Sequence, residues 1–162
     1  MIALPPDVKL EVNGNLVTVS GPLGRVEKKL LSRDVAIEVT PQGVAVRAPR
    51  HIVNTLESCI ANMVKGVREG YTIKLQMLYA HFPFSVEVKG RQAIIKNFLG
   101  EKQPRVAAIA GSTKVEVKPP FVILSGVSKE DVSQTAANLR AALRIRNRDP
   151  RVFQDGLYPV EE

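Results

Sequence analysis

The amino-acid sequence predicts an α+β fold made of two tandem duplicated domains, each an antiparallel sheet with one packed helix. Three observations predict it: a strand motif that occurs twice, apolar residues that alternate on either side of turn signals, and an amphipathic helix pattern at the end of each copy. We place the copies at residues 1–80 and 81–162. Hydrophobic residues make up 44% of the 162 positions, enough to form a core in each copy.

The repeat is visible as two matched motifs. Val8–Gly14 (VKLEVNG) reappears as Phe84–Gly90 (FSVEVKG), 76 positions later. Ile37–Pro41 (IEVTP) reappears as Val115–Pro119 (VEVKP), 78 positions later. The same order and nearly the same spacing indicate a duplicated unit with two residues inserted between the motifs of the second copy.

Each copy is predicted to contain strands followed by one helix. Asn13–Asn15 lies between alternating apolar runs, and Asn-Gly at such a place is the strongest short signal for a β-hairpin. Apolar residues at three- and four-residue spacing predict a helix over His51–Glu69, which Gly70 ends. The second helix is predicted to begin at Ser128. Tyr71–Ala80 is interpreted as a strand that connects the copies.

The charge balance favours a polyanionic partner. Lys and Arg number 23 against 16 Asp and Glu, which gives a net charge of +7. Such an excess points first to nucleic acid and second to an acidic membrane. However, no apolar run approaches the roughly 18 residues that a membrane-spanning helix needs, and the first residues do not resemble a signal peptide. The sequence therefore predicts a soluble protein that does not bind membranes.

Candidate catalytic and metal-binding residues are few. Cys59 is the only cysteine, so an internal disulfide or a cysteine metal cage is excluded, which fits a reducing cytosol. A nucleophile pair of Cys59 with His51 or His81 is conceivable, but a single cysteine on a core helix is usually a small apolar residue. We expect no catalytic residue, metal site, cofactor or small-molecule substrate. A Cys-dependent hydrolase remains an alternative.

Two features bear on single-stranded RNA binding. Gly21–Gly24 has the Gly-x-x-Gly spacing of the KH-domain loop, but it lies between predicted strands and contains Pro22, which favours a simple turn. Only 5% of residues are aromatic, none is Trp, and aromatic residues do not alternate with basic ones. This composition argues against base stacking of the kind seen in OB and RRM domains.

The densest basic cluster follows the second predicted helix. Some cations at a helix end are explained by the helix dipole, but five arginines within 12 residues exceed that role. Guanidinium groups match phosphate oxygens in a bidentate way, so phosphate binding is the favoured interpretation. Lys96–Lys102 together with Arg105 form a second basic cluster. A protein-interaction scaffold with incidental basic charge is the alternative. The five arginines are Arg140, Arg144, Arg146, Arg148 and Arg151.

Several motifs resemble the universal large-subunit ribosomal protein L6 family, in its archaeal and eukaryotic branch. The resemblance covers nearly the whole chain, and the motifs occur in the family's order. The chain is unlike the bacterial branch at its end, where Phe153–Tyr158 replaces a Lys-Gly-Lys-Gly run. The matching motifs are Val64–Val67, Tyr79–Pro83, Asn97–Lys102, Gln134–Ala137 and Asp155–Tyr158.

The resemblance implies a structural protein of the cytoplasmic ribosome, without enzymatic activity. It implies binding to large-subunit rRNA, mainly through the C-terminal domain, near the sarcin–ricin loop and the stalk base where translation factors dock. Neighbouring ribosomal proteins would be direct partners, and translation factors indirect ones. From the family motifs and the basic clusters, we expect rRNA contacts at Lys96, Asn97, Lys102, Arg146, Arg148, Arg151 and Tyr158.

Overall fold

The computed structural model describes residues 5–14, 16–29, 36–40 and 43–160. The chain divides into two compact units. The first contains Met1–Gly70 with Val127–Lys129, and the second contains Tyr71–Gly126 with Glu130–Glu162. Antiparallel sheets and two α-helices among the described residues confirm the predicted α+β class. Neither of these helices is long and apolar enough to cross a membrane.

The first unit has a three-stranded sheet in the order β1-β2-β3, a β4-β5 hairpin and one helix among its described residues. Gly14 adopts a φ of +60° in the β1–β2 turn, as the predicted hairpin requires. The elements are β1 (Lys9–Asn13), β2 (Leu16–Gly21), β3 (Gly24–Lys29), β4 (Ala36–Thr40), β5 (Gly43–Arg47) and α1 (Arg50–Arg68).

The core of the first unit forms where the apolar face of α1 meets β2. The helix buries residues at the predicted spacing, among them Ile60 and Val67, and they cluster with Val17 and Val19. Gly21 marks the closest approach, because a Cβ there would lie 2.8 Å from a Val67 methyl group. The backbone N–H of Leu23 also donates to the Val67 carbonyl oxygen at 3.0 Å. The Gly-x-x-Gly segment is therefore a turn against the end of α1, not a nucleotide clamp.

The second unit has two sheets, one in the order β7-β8-β9 and one in the order β10-β11-β6-β12. A short 3-10 turn, Phe98–Gly100, follows β8. The elements are β6 (Tyr71–Leu78), β7 (Ser85–Lys89), β8 (Gln92–Lys96), β9 (Arg105–Ala108), β10 (Lys114–Lys118), β11 (Phe121–Gly126), α2 (Lys129–Ala142) and β12 (Gly156–Pro159).

Strand β6 does not connect the copies in the way that the sequence suggested. It is an inner strand of the second unit, with β11 on one side and β12 on the other. Met77 pairs with Leu157 across the β6–β12 ladder, and both side chains are buried. The partner strand β12 was not predicted, because Gly156 and Pro159 give the segment a turn-like composition.

The strand registers bear out the duplication. Lys9 faces Ser20 in the β1–β2 pair, and 76 positions later Ser85 faces Lys96 in the β7–β8 pair. The β4–β5 and β10–β11 pairs likewise match at a shift of 78. The two motif shifts read from the sequence are thus also the two register shifts of the hairpins.

The core of the second unit lies between α2 and its sheets. Apolar residues at three- and four-residue spacing are buried here, namely Val132, Ala136, Leu139 and Leu143. Thr135 is buried as well, although it is polar. Its hydroxyl donates to the Asp131 carbonyl oxygen at 2.7 Å and accepts the backbone N–H of Ala110 at 3.0 Å. These two bonds satisfy a hydroxyl that would otherwise be costly to bury.

Candidate nucleic-acid interface

The predicted phosphate-binding residues lie on or beside two connections that are much longer in the second unit. Residues 22–23 join β2 to β3, whereas residues 97–104 join β8 to β9. Residues 69–70 join α1 to β6, whereas residues 143–155 join α2 to β12. The loop 97–104 and the segment 143–155 therefore depart from the shared architecture. The first carries Asn97 and Lys102, the second carries Arg146, Arg148 and Arg151, and the flanking strands carry Lys96 and Tyr158.

Loop 97–104 has a fixed backbone shape. Asn97, Leu99 and Gly100 adopt left-handed φ values of 60°, 51° and 75°. Phe98 between them is buried and anchors the loop in the core. The Asn97 side-chain amide donates to the Pro83 carbonyl oxygen at 2.9 Å. Asn97 thus positions the loop, and its predicted contact with rRNA remains a prediction.

Two lysines at this loop face solvent, Lys96 at the end of β8 and Lys102 on the loop itself. Lys96 donates to Glu87 at 2.7 Å, yet about half of the Lys96 side chain stays exposed. The hydrogen bond from Lys96 is the main cause of the lowered pKa of Glu87. Lys102 is exposed and borders a depression together with its neighbours. The depression is lined by Lys96, Asn97, Glu101, Lys102 and Pro104.

Arg105 holds the loop to the end of α2 instead of facing a ligand. Its guanidinium bonds to both carboxylate oxygens of Glu101, at 2.8 and 2.6 Å. It also donates to the carbonyl oxygens of Ala142 and Arg144, at 2.9 and 3.2 Å. The group lies over the Phe98 ring, 4.7 Å from its centroid. Sequence alone grouped Arg105 with the free cations, but its partners show that it is a structural link.

Arg146 and Arg148 lie on the segment just beyond α2, and both are exposed. Asn147 between them has a φ of +58°, which turns the chain. The Arg148 guanidinium lies 4.8 Å from the centroid of the Phe153 ring. Its charge also contributes to the lowered pKa of Glu101, after the larger effect of the Arg105 hydrogen bond. The two long connections meet through Arg105, which bonds to Glu101 on loop 97–104 and to the carbonyl oxygen of Arg144 on segment 143–155.

Arg151 is paired locally. Its backbone N–H and its guanidinium both bond to Asp149, with the closest contact at 2.9 Å. These bonds lower the pKa of the Asp149 carboxyl. The Arg151 side chain is nevertheless 89% exposed, and exposed ion pairs of this kind stabilise little. The pairing with Asp149 therefore leaves the Arg151 side chain accessible from solvent.

Asp155 anchors the end of segment 143–155. Its buried carboxylate accepts the backbone N–H groups of Ala80 and His81 at 3.2 and 3.4 Å, and contacts His81 Nδ1 at 3.1 Å. Burial works to raise the pKa of Asp155, but the hydrogen bonds outweigh it and lower the pKa. The His81 ring stacks on Phe153 at 4.5 Å. No local sequence pattern predicts this anchor, because the backbone groups that bond to Asp155 lie 75 and 74 residues away from it in the chain.

Tyr158 lies on β12 opposite Gln76, next to the anchor. Its hydroxyl donates to the Gln154 carbonyl oxygen at 2.9 Å, and the residue is 41% exposed. The hydroxyl proton is thus engaged within the protein, and the predicted contact of Tyr158 with rRNA remains a prediction.

Cys59 lies on α1 and is partly buried. Its sulfur accepts a hydrogen bond from the Lys28 ammonium at 3.4 Å. His81, one of the two histidines, instead bonds to Asp155. Within the described residues, no group of three or more His, Cys, Asp or Glu side chains is arranged to hold a metal ion.

Comparison with known proteins identifies the family. The family model described as Ribosomal protein L6 matches residues 82–156, a range that includes both long connections. Over 167 residues the chain is 41% identical to the large ribosomal subunit protein uL6 of Methanosarcina mazei, covering 99% of this chain and 95% of the relative. The chain belongs to the ribosomal protein L6 family.

Other relatives extend the match along the whole chain. The large ribosomal subunit protein uL6 of Halobacterium salinarum is 44% identical over 167 residues, with 99% of this chain and 94% of the relative covered. The protein of the same name from Thermoplasma volcanium is 40% identical over 168 residues, covering 100% and 94%. As a member of this family the chain is a ribosomal protein of the large subunit and not an enzyme, so the hydrolase alternative is wrong.

Proposed function

We propose that this chain binds large-subunit rRNA through its second unit, with loop 97–104 and segment 143–155 as the contact surface. The main observation behind the proposal is the meeting of these two connections at Arg105, which bonds to Glu101 of the first and to the Arg144 carbonyl oxygen of the second. Residues 96–105 and 143–155 together hold seven Lys and Arg against three Asp and Glu. A surface with this excess of cations, held at fixed spacing by a rigid sheet, suits a phosphate backbone.

The mechanism is structural. Arg146, Arg148 and Arg151 neutralise phosphates where rRNA helices lie close together, with Lys96, Asn97, Lys102 and Tyr158 as further contacts. Shape and phosphate spacing are recognised rather than base sequence, because the major groove of A-form RNA is too narrow for side chains. In the cytoplasmic ribosome, neighbouring ribosomal proteins complete the site. In line with the resemblance to the family, we propose a location near the sarcin–ricin loop and the stalk base, where this protein supports translation-factor binding through the rRNA it holds.

Substitution of the tail arginines tests the surface. The triple variant Arg146→Gln, Arg148→Gln, Arg151→Gln should bind an archaeal large-subunit rRNA transcript more weakly. Each lost phosphate contact should also flatten the slope of log K against log salt by roughly 0.7–0.9. Filter binding over a salt series measures both effects, and circular dichroism checks folding.

The matched control replaces three exposed cations of the first unit, Lys9→Gln, Lys65→Gln and Arg68→Gln, which are not on the proposed surface. Equal losses from the two triples would contradict the proposed asymmetry between the units. An unchanged salt slope in the tail triple would contradict the phosphate contacts themselves.

Directed cleavage tests the location. Gln103 is exposed on loop 97–104, so Gln103→Cys in a Cys59→Ser background gives a single attachment point for an iron chelate. In reconstituted large subunits, hydroxyl radicals from this site should cleave rRNA near the sarcin–ricin loop. Cleavage only elsewhere in the rRNA would overturn the location. Absence of any rRNA cleavage would favour a scaffold that contacts proteins alone.

A further inference from the structure

Phe82 is a large apolar side chain that is half exposed although its surroundings are fixed. The residue is 51% exposed. One edge of its ring lies against Gly100, where a Cβ would be 3.5 Å from the ring. On either side in the chain, His81 is bonded to Asp155, and the Pro83 carbonyl oxygen accepts the Asn97 amide. The segment is thus tied down around an aromatic ring that keeps an open face.

The ring lies against one basic connection, and its neighbour in the chain contacts the other. The first is loop 97–104, with Gly100 against the ring and Lys102 two residues further on. In the second, the adjacent His81 stacks on Phe153, which in turn lies beneath Arg148. Aromatic and basic residues do not alternate in the sequence, which argued against base stacking. The fold nevertheless brings them together, because residues far apart in the chain meet here.

We propose that Phe82 is a stacking site for an unpaired nucleobase of the large-subunit rRNA, with the flanking phosphates bound by Lys102 and Arg148. The inference rests on the proposed rRNA binding and adds a contact of a different kind. An exposed aromatic ring on a surface that also carries exposed cations matches a nucleotide, which presents a flat π-face and adjacent negative charge. An apolar protein side chain would match the ring but leave the cations without a counter-charge. Since the ring is already held, binding orders little new structure.

Tryptophan fluorescence tests the stacking directly. The natural chain contains no tryptophan, so Phe82→Trp places a single reporter at the site. Titration with an archaeal large-subunit rRNA transcript should quench its emission in parallel with binding measured on filters. The matched control is Leu23→Trp, at a position in the first unit that is 55% exposed, and its emission should change little. Full binding without quenching of Phe82→Trp would overturn the proposal.

Affinity gives an independent measurement. Phe82→Leu keeps an apolar side chain but removes the π-face, so rRNA affinity should fall roughly five- to 150-fold, the range for one stacked base. The slope of log K against log salt should stay unchanged, because no phosphate contact is lost. Phe82→Trp should bind about as well as the natural protein.

The outcomes separate this inference from the proposed function. If Phe82→Leu binds as tightly as the natural chain while the tail triple loses affinity and salt slope, base stacking is wrong and rRNA binding stands. If the natural chain does not bind the rRNA at all, both are overturned. If Phe82→Trp responds only when neighbouring ribosomal proteins are added to the bound rRNA, the partner of the ring is a protein and the base-stacking proposal is rejected.

Discussion

Two strand pairs have the same register in both units, β1–β2 with β7–β8 and β4–β5 with β10–β11, but the connections differ. In the first unit, two residues link β2 to β3 and two link α1 to the next strand; in the second, eight and 13 residues occupy the corresponding places. The strands of these pairs kept their spacing, since a shift of one residue would turn every side chain to the opposite face. The connections lie on the surface and tolerate insertions. The proposed binding surface lies on these insertions, outside the duplicated framework.

The largest expected change in stability concerns Asp155, which anchors the end of segment 143–155. Asp155→Asn removes the charge that accepts two backbone N–H groups and contacts His81. The free energy of unfolding at pH 7 should fall by about 1.5–3 kcal/mol, as expected for hydrogen bonds to a buried charged group. Chemical denaturation of both proteins measures it.

The same variant has a defined pH dependence. Because the folded state lowers the pKa of Asp155 below its ordinary value of 3.8, the ionised carboxylate stabilises the natural protein at pH values above about 3.8. That stabilisation is lost as the pH falls through the folded-state pKa, so the difference between the two proteins should shrink on acidification. Asp149→Asn, which alters an exposed aspartate of the same segment, should change stability much less. A difference that persists at low pH would argue against the anchoring charge.

Arg105 and Arg146 should give opposite results, which sharpens the distinction between positioning and binding cations. Arg105→Gln loses the bonds to the Ala142 and Arg144 carbonyl oxygens, so the free energy of unfolding should fall by about 1–2 kcal/mol. Its salt slope for rRNA binding should be unchanged. Arg146→Gln should leave stability as it is and reduce the slope by roughly 0.7–0.9. Chemical denaturation of each variant measures the free energy of unfolding, and filter binding measures the salt slope. If both variants changed the same quantity, the distinction between positioning and binding cations would be wrong.

The smallest expected effect tests the equivalence of the units. Gly14 and Gly90 occupy matching hairpin turns, both with a φ of +60° and no atom near an added Cβ. Gly14→Ala and Gly90→Ala should each destabilise by about 1 kcal/mol, the cost of a left-handed conformation for an L-residue. Hydrogen exchange, read separately for each unit, compares them. A several-fold difference between the two costs would show that the turns are not equivalent.

Sequence reasoning succeeded where the signal was local. The Asn-Gly turn after β1, the spacing of Ile60 and Val67 on α1, and the shifts of 76 and 78 all depend on residues close together in the chain or on direct repetition. The structure contains each of these features, because hairpins and the apolar faces of helices are determined by short-range periodicity. The α+β class followed from these elements alone.

Sequence reasoning failed to predict contacts between residues that are far apart in the chain. Nothing near Tyr71 indicates that β6 will lie between β11 and β12, since both partners come later in the chain. Arg105 looks like any other cation until its bond to Ala142, 37 residues on, is known. The position of Phe82 against Gly100 of loop 97–104 is likewise a product of tertiary structure. Local patterns carry no information about such pairs.

The position of β6 has a consequence for synthesis of the chain. A ribosome makes β6 early, but its inner place in the sheet is completed only when β12, the last strand described, has been made. Until then one edge of β6 presents unpaired backbone groups, which favour association with other chains. Ala80 and His81 likewise wait for Asp155, about 75 residues later. The second unit therefore closes only after β12 and Asp155 have been translated, and segment 143–155 is held at both of its ends only from that point on.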